Sequence, residues 1–138
     1  MKRFITEKLI DWKNSKDRKP LILKGARQVG KTYILKDFGE TNYENVAYFN
    51  FDHDGGLAEL FLNTKDPKRI IEQLSLANGK KINPGSTLII FDEIQECPNA
   101  LNSSKSLLPS NIILLSKLDI LLNNPTSFIY ILYDDKSV

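Results

Sequence analysis

Near the N-terminus the apolar positions recur with helical spacing. Ile5, Leu9 and Trp12 fall at i, i+4 and i+7, with Lys8 and Asp11 off that stripe, which predicts an amphipathic helix. Asn14 to Pro20 is polar and turn-forming. Leu21-Ile22-Leu23 has the length and character of a buried strand, Gly25 to Gly30 reads as a loop, and Tyr33 to Phe38 as a helix capped by Gly39. Val46 to Phe51 predicts a second strand, in which Phe49 and Phe51 alternate with Tyr48 and Asn50 as core patterning. Asp54-Gly55-Gly56 predicts a turn. Asp66 and Pro67 then open a helix whose Ile70, Ile71, Leu74 and Ala77 share a face, and Asn78-Gly79 end it. After the turn Asn83-Pro84-Gly85, Thr87 to Phe91 predicts a third strand running into Asp92-Glu93. Strands alternating with helices predict an α/β fold, a mostly parallel sheet flanked by helices.

Composition narrows the class. A chain of 138 residues is one domain, and 41% hydrophobic with 26% charged residues excludes disorder and low-complexity fibres. Lys and Arg number 19 against 17 Asp and Glu, and a net +2 gives no field that argues for nucleic acid or a membrane surface. The single Cys97 excludes an intramolecular disulfide framework and suits a reducing compartment. The N-terminus lacks the apolar run of a signal peptide, and the apolar stretch Ile112 to Leu122 is broken by Lys117 and Asp119. The expectation is a cytoplasmic protein without a membrane partner.

Chemistry concentrates in two places. Gly25-Ala26-Arg27-Gln28-Val29-Gly30-Lys31-Thr32 fits G-x-x-x-x-G-K-[ST], the phosphate loop or Walker A pattern, in full. At these residue frequencies the pattern arises in about half a percent of shuffled chains, and here a strand precedes it and a helix follows. Glycines let the backbone curl so that several N–H groups aim at a phosphate, and the helix beginning near Lys31 adds the positive end of its dipole. In this reading Gly25 to Thr32 bind the nucleotide, the Lys31 ammonium bridges β- and γ-phosphates, and the Thr32 hydroxyl ligates Mg²⁺. The second place is Leu88-Ile89-Ile90-Phe91-Asp92-Glu93, the Walker B pattern, where two carboxylates follow an apolar strand. Ligands sit at that end of open α/β sheets. Asp92 is the expected Mg²⁺ residue and Glu93 the carboxylate that polarises the attacking water, with Lys31 as its catalytic companion. The expected cofactors are ATP and Mg²⁺.

With these motifs in view, the run Lys19 to Thr32 closely resembles a family of prokaryotic AAA-type ATPases, in which a P-loop domain precedes a C-terminal domain of unknown function that often resembles a nuclease. Asp92-Glu93-Ile94-Gln95-Glu96-Cys97-Pro98, Tyr48-Phe49-Asn50-Phe51 and the N-terminal helix ending near Trp12 are similar to the same family. The resemblance implies a P-loop NTPase-type sheet with a further strand between the two motif strands. It also implies ATP hydrolysis, and a homo-oligomer in intact members.

The likeness is dense over residues 1–105, the expected P-loop core with both nucleotide motifs. Residues 106–138 read as a divergent or frame-disrupted tail, so the C-terminal part of the fold is expected to be incomplete. Asn111 to Leu115 is the candidate for the inserted strand, which makes Ser116 the candidate sensor residue. Were that strand not to form, the sheet would carry unpaired edges at its middle and an exposed apolar stretch. Asn123 to Phe128 again resembles the family. The arginines are Arg3, Arg18, Arg27 and Arg69, so none stands where the family's transition-state arginine would lie. Nucleotide binding with weak or absent hydrolysis is therefore expected, and a non-catalytic remnant is the competing reading. A nucleotide kinase shares the phosphate loop, but the Asp92-Glu93 pair and the lack of an arginine-bearing lid argue against it.

Other residues fit plainer roles. His53, between Asp52 and Asp54, fits a solvated turn better than a metal site. Cys97 fits a small, partly buried side chain better than a nucleophile. Lys13, Lys16, Arg18 and Lys19, with Asp17 among them, fit a solvated turn better than a nucleic-acid surface. Arg27 faces ligand, partner or solvent with no sequence signal to choose among them.

Overall fold

The computed structural model describes residues 2–16, 18–25, 29–107, 111–117, 120, 122 and 125–133. The chain alternates in the order α1 (Lys2–Lys13), β1 (Leu21–Gly25), α2 (Val29–Asn42), β2 (Asn45–Asn50), α3 (Gly55–Asn63), α4 (Pro67–Asn78), β3 (Thr87–Asp92), α5 (Pro98–Ser104), β4 (Asn111–Ser116) and β5 (Ile129–Tyr133). Short 3₁₀ turns cover Ile94–Glu96, Lys105–Leu107 and Pro125–Ser127. The five strands form one sheet in the order β2-β3-β4-β1-β5, and every neighbouring pair is parallel. This is the expected α/β architecture of P-loop NTPase type. No described helix is long and apolar enough to cross a membrane.

Strand side chains alternate between two cores. Leu21, Leu23, Leu88, Ile90, Ile113 and Leu115 join Ile5, Leu9 and Trp12 of α1 and Ile34, Leu35 and Phe38 of α2 on one face. Ile22, Ala47, Phe49, Ile89, Phe91, Ile112 and Leu114 meet Leu57 and Phe61 of α3, Ile70 and Leu74 of α4, and Ala100 and Leu101 of α5 on the other. Because both faces are covered, every residue of β3 and β4 is buried, and their runs read as continuously apolar rather than alternating. Phe51, Phe61 and Phe91 pack their rings with centroids 5.4 to 5.8 Å apart, which closes the core beneath the end of β3.

The inserted strand forms. β4 pairs Ile113 with both Leu21 of β1 and Ile90 of β3, so the motif strands have no open edge between them and its apolar residues are buried. Within residues 106–138, β5 also joins the sheet, pairing with the whole of β1 from Leu21↔Ile129 to Gly25↔Tyr133. Its apolar, aromatic sequence was legible as a strand, although the tail reading gave it no element.

Two local expectations are corrected. Gly39 is not the cap of α2, which continues to Asn42, where the Asn42 side chain donates to the Phe38 carbonyl at 2.9 Å. The glycine instead allows close helix–sheet approach, since a Cβ there would lie 2.5 Å from Val46 Cγ2 and 3.0 Å from Leu88 Cδ2. Asp54-Gly55-Gly56 is not a turn but the start of α3, with the Asp54 carboxylate accepting from the Gly56 N–H at 3.0 Å as N-cap. α4 has the predicted ends, with Asp66 accepting from the Lys68 N–H at 3.2 Å and Gly79 left-handed at φ 76°.

Candidate functional site

Parallel strands put all their C-terminal ends at one edge of the sheet. Gly25 closes β1 there, Asp92 closes β3 and Ser116 closes β4, with Lys24 in register with Ser116 and Asn50 with Asp92. Val29, Gly30, Lys31 and Thr32 form the first turn of α2, which Thr32 brings to the same edge, and the first amides of any α-helix have no intrahelical acceptor. Ala26, Arg27 and Gln28 lie outside the described residues, as do the side chains of Val29 and Lys31.

Thr32 and Asp92, sixty positions apart in sequence, meet here. Thr32 Oγ1 donates to Asp92 Oδ2 at 3.2 Å. Asp92 is 8% exposed, and its carboxylate is held from three directions. Tyr48 Oη donates to the same Oδ2, and the Glu93 backbone N–H donates to Oδ1 at 2.8 Å. Asn50 Nδ2 in turn donates to Tyr48 Oη at 3.4 Å. Burial pushes the Tyr48 phenol up to about 12, and the Asp92 bond and charge act in the same direction, so the hydroxyl keeps its proton and remains a donor.

Glu93 has φ 57° and ψ 44°, which makes it the non-glycine residue with left-handed backbone among those described. That conformation costs about 1–2 kcal/mol. It turns the chain off the end of β3 so that Ile94 enters the core while the Glu93 carboxylate stays at the strand ends. Lys117 Nζ pairs with Glu93 Oε2 at 3.0 Å, and Gln95 Nε2 donates to the same oxygen at 3.3 Å.

Tyr48, Asn50, Gln95 and Lys117 are the site residues that the sequence reading missed. The signal for Tyr48 and Asn50 was their alternation with buried Phe49 and Phe51, which turns them to the opposite face. The partner they find there depended on which strand lay alongside. Lys117 was read only as an interruption of an apolar run. Among the described residues no group of three His, Cys, Asp or Glu gathers to hold a metal by itself. A cation at Asp92 would therefore draw on Thr32 and on oxygens of ligand or water, and this hard-oxygen set suits Mg²⁺.

The residues set aside are placed elsewhere or paired. His53 is an exposed turn residue, and Cys97 is buried, which pushes its thiol up. Lys13 Nζ sits 5.2 Å over the Tyr43 ring, Arg18 donates to the Lys13 carbonyl at 3.0 Å, and Lys19 Nζ donates to the Thr126 carbonyl at 2.6 Å. These three residues of the basic cluster thus hold the segment before β1 against its surroundings.

A five-stranded parallel sheet in this order, with α2 following β1 in the chain and touching the end of β3 through its first turn, defines a P-loop-type nucleoside triphosphatase fold. The family model described as an AAA domain matches residues 17–136, and the chain belongs to that family of ATP-using, nucleotide-binding domains. A comparison with curated proteins found no match.

Proposed function

We propose that this chain binds ATP with Mg²⁺ at the C-terminal edge of its sheet and that any ATP hydrolysis it performs is slow. The observation that carries this reading is the 3.2 Å contact between Thr32 Oγ1 and Asp92 Oδ2, which brings the last residue of the phosphate-loop pattern against the first carboxylate after β3. Backbone amides from Gly25 to Thr32, with Ala26, Arg27, Gln28, Val29 and Gly30 between, would cradle the phosphates, and Lys31 would offset their charge. Thr32 and Asp92 would hold Mg²⁺, which would supply neutralisation of the triphosphate charge. Glu93 would orient the attacking water with the carboxylate that Lys117 and Gln95 hold at the strand ends.

The slow-turnover part rests on Glu93, whose Oε2 is already engaged by Lys117 Nζ at 3.0 Å and by Gln95 Nε2 at 3.3 Å, which weakens it as an acceptor for the proton of an attacking water. The second reading is a nucleotide binder without catalysis, and the Glu93–Lys117 ion pair favours it by engaging the expected base.

Titration calorimetry with ATP and GTP, each with and without Mg²⁺, tests the first part, and phosphate release tests the second. Mg²⁺-enhanced binding of a nucleoside triphosphate is expected, and absence of heat with every nucleotide would overturn the proposal. Fast phosphate release abolished by Glu93→Gln would overturn the slow-turnover part, and binding with no release at all would establish the second reading.

A further inference from the structure

The proposed metal carboxylate has a donor that neither motif supplies. Tyr48 sits on β2, two residues before Asn50, which pairs in register with Asp92. Its long side chain spans that offset, and its Oη donates to Asp92 Oδ2, the oxygen that Thr32 also contacts. The rotation of a carboxylate about its last bond is soft, with no sharp staggered minima. Here one oxygen is fixed by the Glu93 N–H at 2.8 Å and the other by the Tyr48 hydroxyl, so the plane of the carboxylate is set from both ends. The Tyr48 ring is fixed as well, with Lys36 Nζ 4.0 Å from its centroid and Asn50 Nδ2 donating to its oxygen at 3.4 Å.

From this geometry we infer that Tyr48 is a positioning residue for the divalent cation. It holds the Asp92 carboxylate in the orientation that presents Oδ2 to the metal beside Thr32, whose side chain the Tyr48 hydroxyl also meets. The inference rests on the nucleotide-binding reading above and adds a residue outside both motifs. Hydrogen-bond partners that orient a metal ligand typically contribute 10–100-fold to metal affinity.

The test is Tyr48→Phe, which removes one oxygen and keeps the ring under Lys36. ATP binding by the full chain is titrated in Mg²⁺ and again in EDTA, and the ratio of the two affinities is the readout. The variant is expected to bind ATP in EDTA as the unaltered chain does and to lose about 10-fold of the Mg²⁺ enhancement. An unchanged ratio would overturn the inference, and so would an equal loss with and without Mg²⁺, which marks a merely structural role. If the unaltered chain binds no nucleotide, the underlying reading fails. If it binds and shows the Mg²⁺ enhancement, only the Tyr48 result decides.

Discussion

Asp92 and Glu93 are adjacent, yet their surroundings differ in kind. Asp92 accepts three hydrogen bonds at the end of a buried strand, whereas Glu93 projects from a left-handed residue into an ion pair with Lys117. Asp92→Asn should therefore remove most of the Mg²⁺ enhancement of ATP binding, measured by titration calorimetry, while ATP affinity in EDTA stays within about 2-fold. Glu93→Gln should leave ATP affinity nearly unchanged and lower whatever phosphate release the chain shows by about 100-fold or more. Tyr43 offers a test independent of the ligand. Its hydroxyl donates to Asn111 Oδ1 at 3.0 Å, and burial pushes the phenol up to about 12 despite the nearby Arg18. A raised folded-state value means that the stability is complete below pH 10, near the unfolded phenol's value, and is lost as pH climbs toward 12. The unfolding free energy from denaturant titrations should fall over that window by about 1.4 kcal/mol per pH unit for each such phenol, Tyr48 adding to Tyr43, and Tyr43→Phe should make the fall less steep.

At the scale of elements, the helix ends and glycines divide by how local their causes are. The N-cap of α4 was legible in Asp66-Pro67, because a side chain two residues from the amide it accepts from needs no tertiary partner. Gly39 was misread as a cap because the reason for a glycine there lies on Val46 and Leu88, which sequence distance hides. Gly39→Ala should consequently destabilise the fold by about 1–3 kcal/mol through overpacking, where an ordinary helical glycine would gain stability from alanine. Denaturant unfolding of the variant reads the sign directly. α3 was missed although Asp54 caps it and Leu57 and Phe61 share its buried face, since two glycines in its first turn read as a turn. β5 was missed because the surrounding pattern had been read as a tail.

At the scale of the whole molecule, the sheet order converts separated motifs into one site. β4 between β1 and β3 spaces the phosphate-loop strand from the carboxylate strand, and α2 then crosses so that Thr32 meets Asp92. A ligand that binds only this assembled state must stabilise it as a unit. Mg²⁺ and ATP at about 100 times their dissociation constant should add about 2.7 kcal/mol, which raises the thermal midpoint by on the order of 10 °C for a chain of this size. A thermal shift with and without Mg-ATP checks this, and Asp92→Asn should show a smaller rise.

Taken alone, the sequence determined the alternation of strands and helices, the apolar face of α1, both ends of α4 and the two motifs to which the proposed phosphate and metal chemistry is assigned. Each of these follows from periodicity, capping or backbone freedom over a few neighbouring residues. Only the tertiary structure decided that Tyr48 and Asn50 stand beside Asp92, that Lys117 engages Glu93, that Gly39 is a contact and not an end, and that β5 completes the sheet. Those facts depend on which strands lie side by side, and that choice is made by burying two apolar faces at once, a cooperative result that no local stretch of the chain contains.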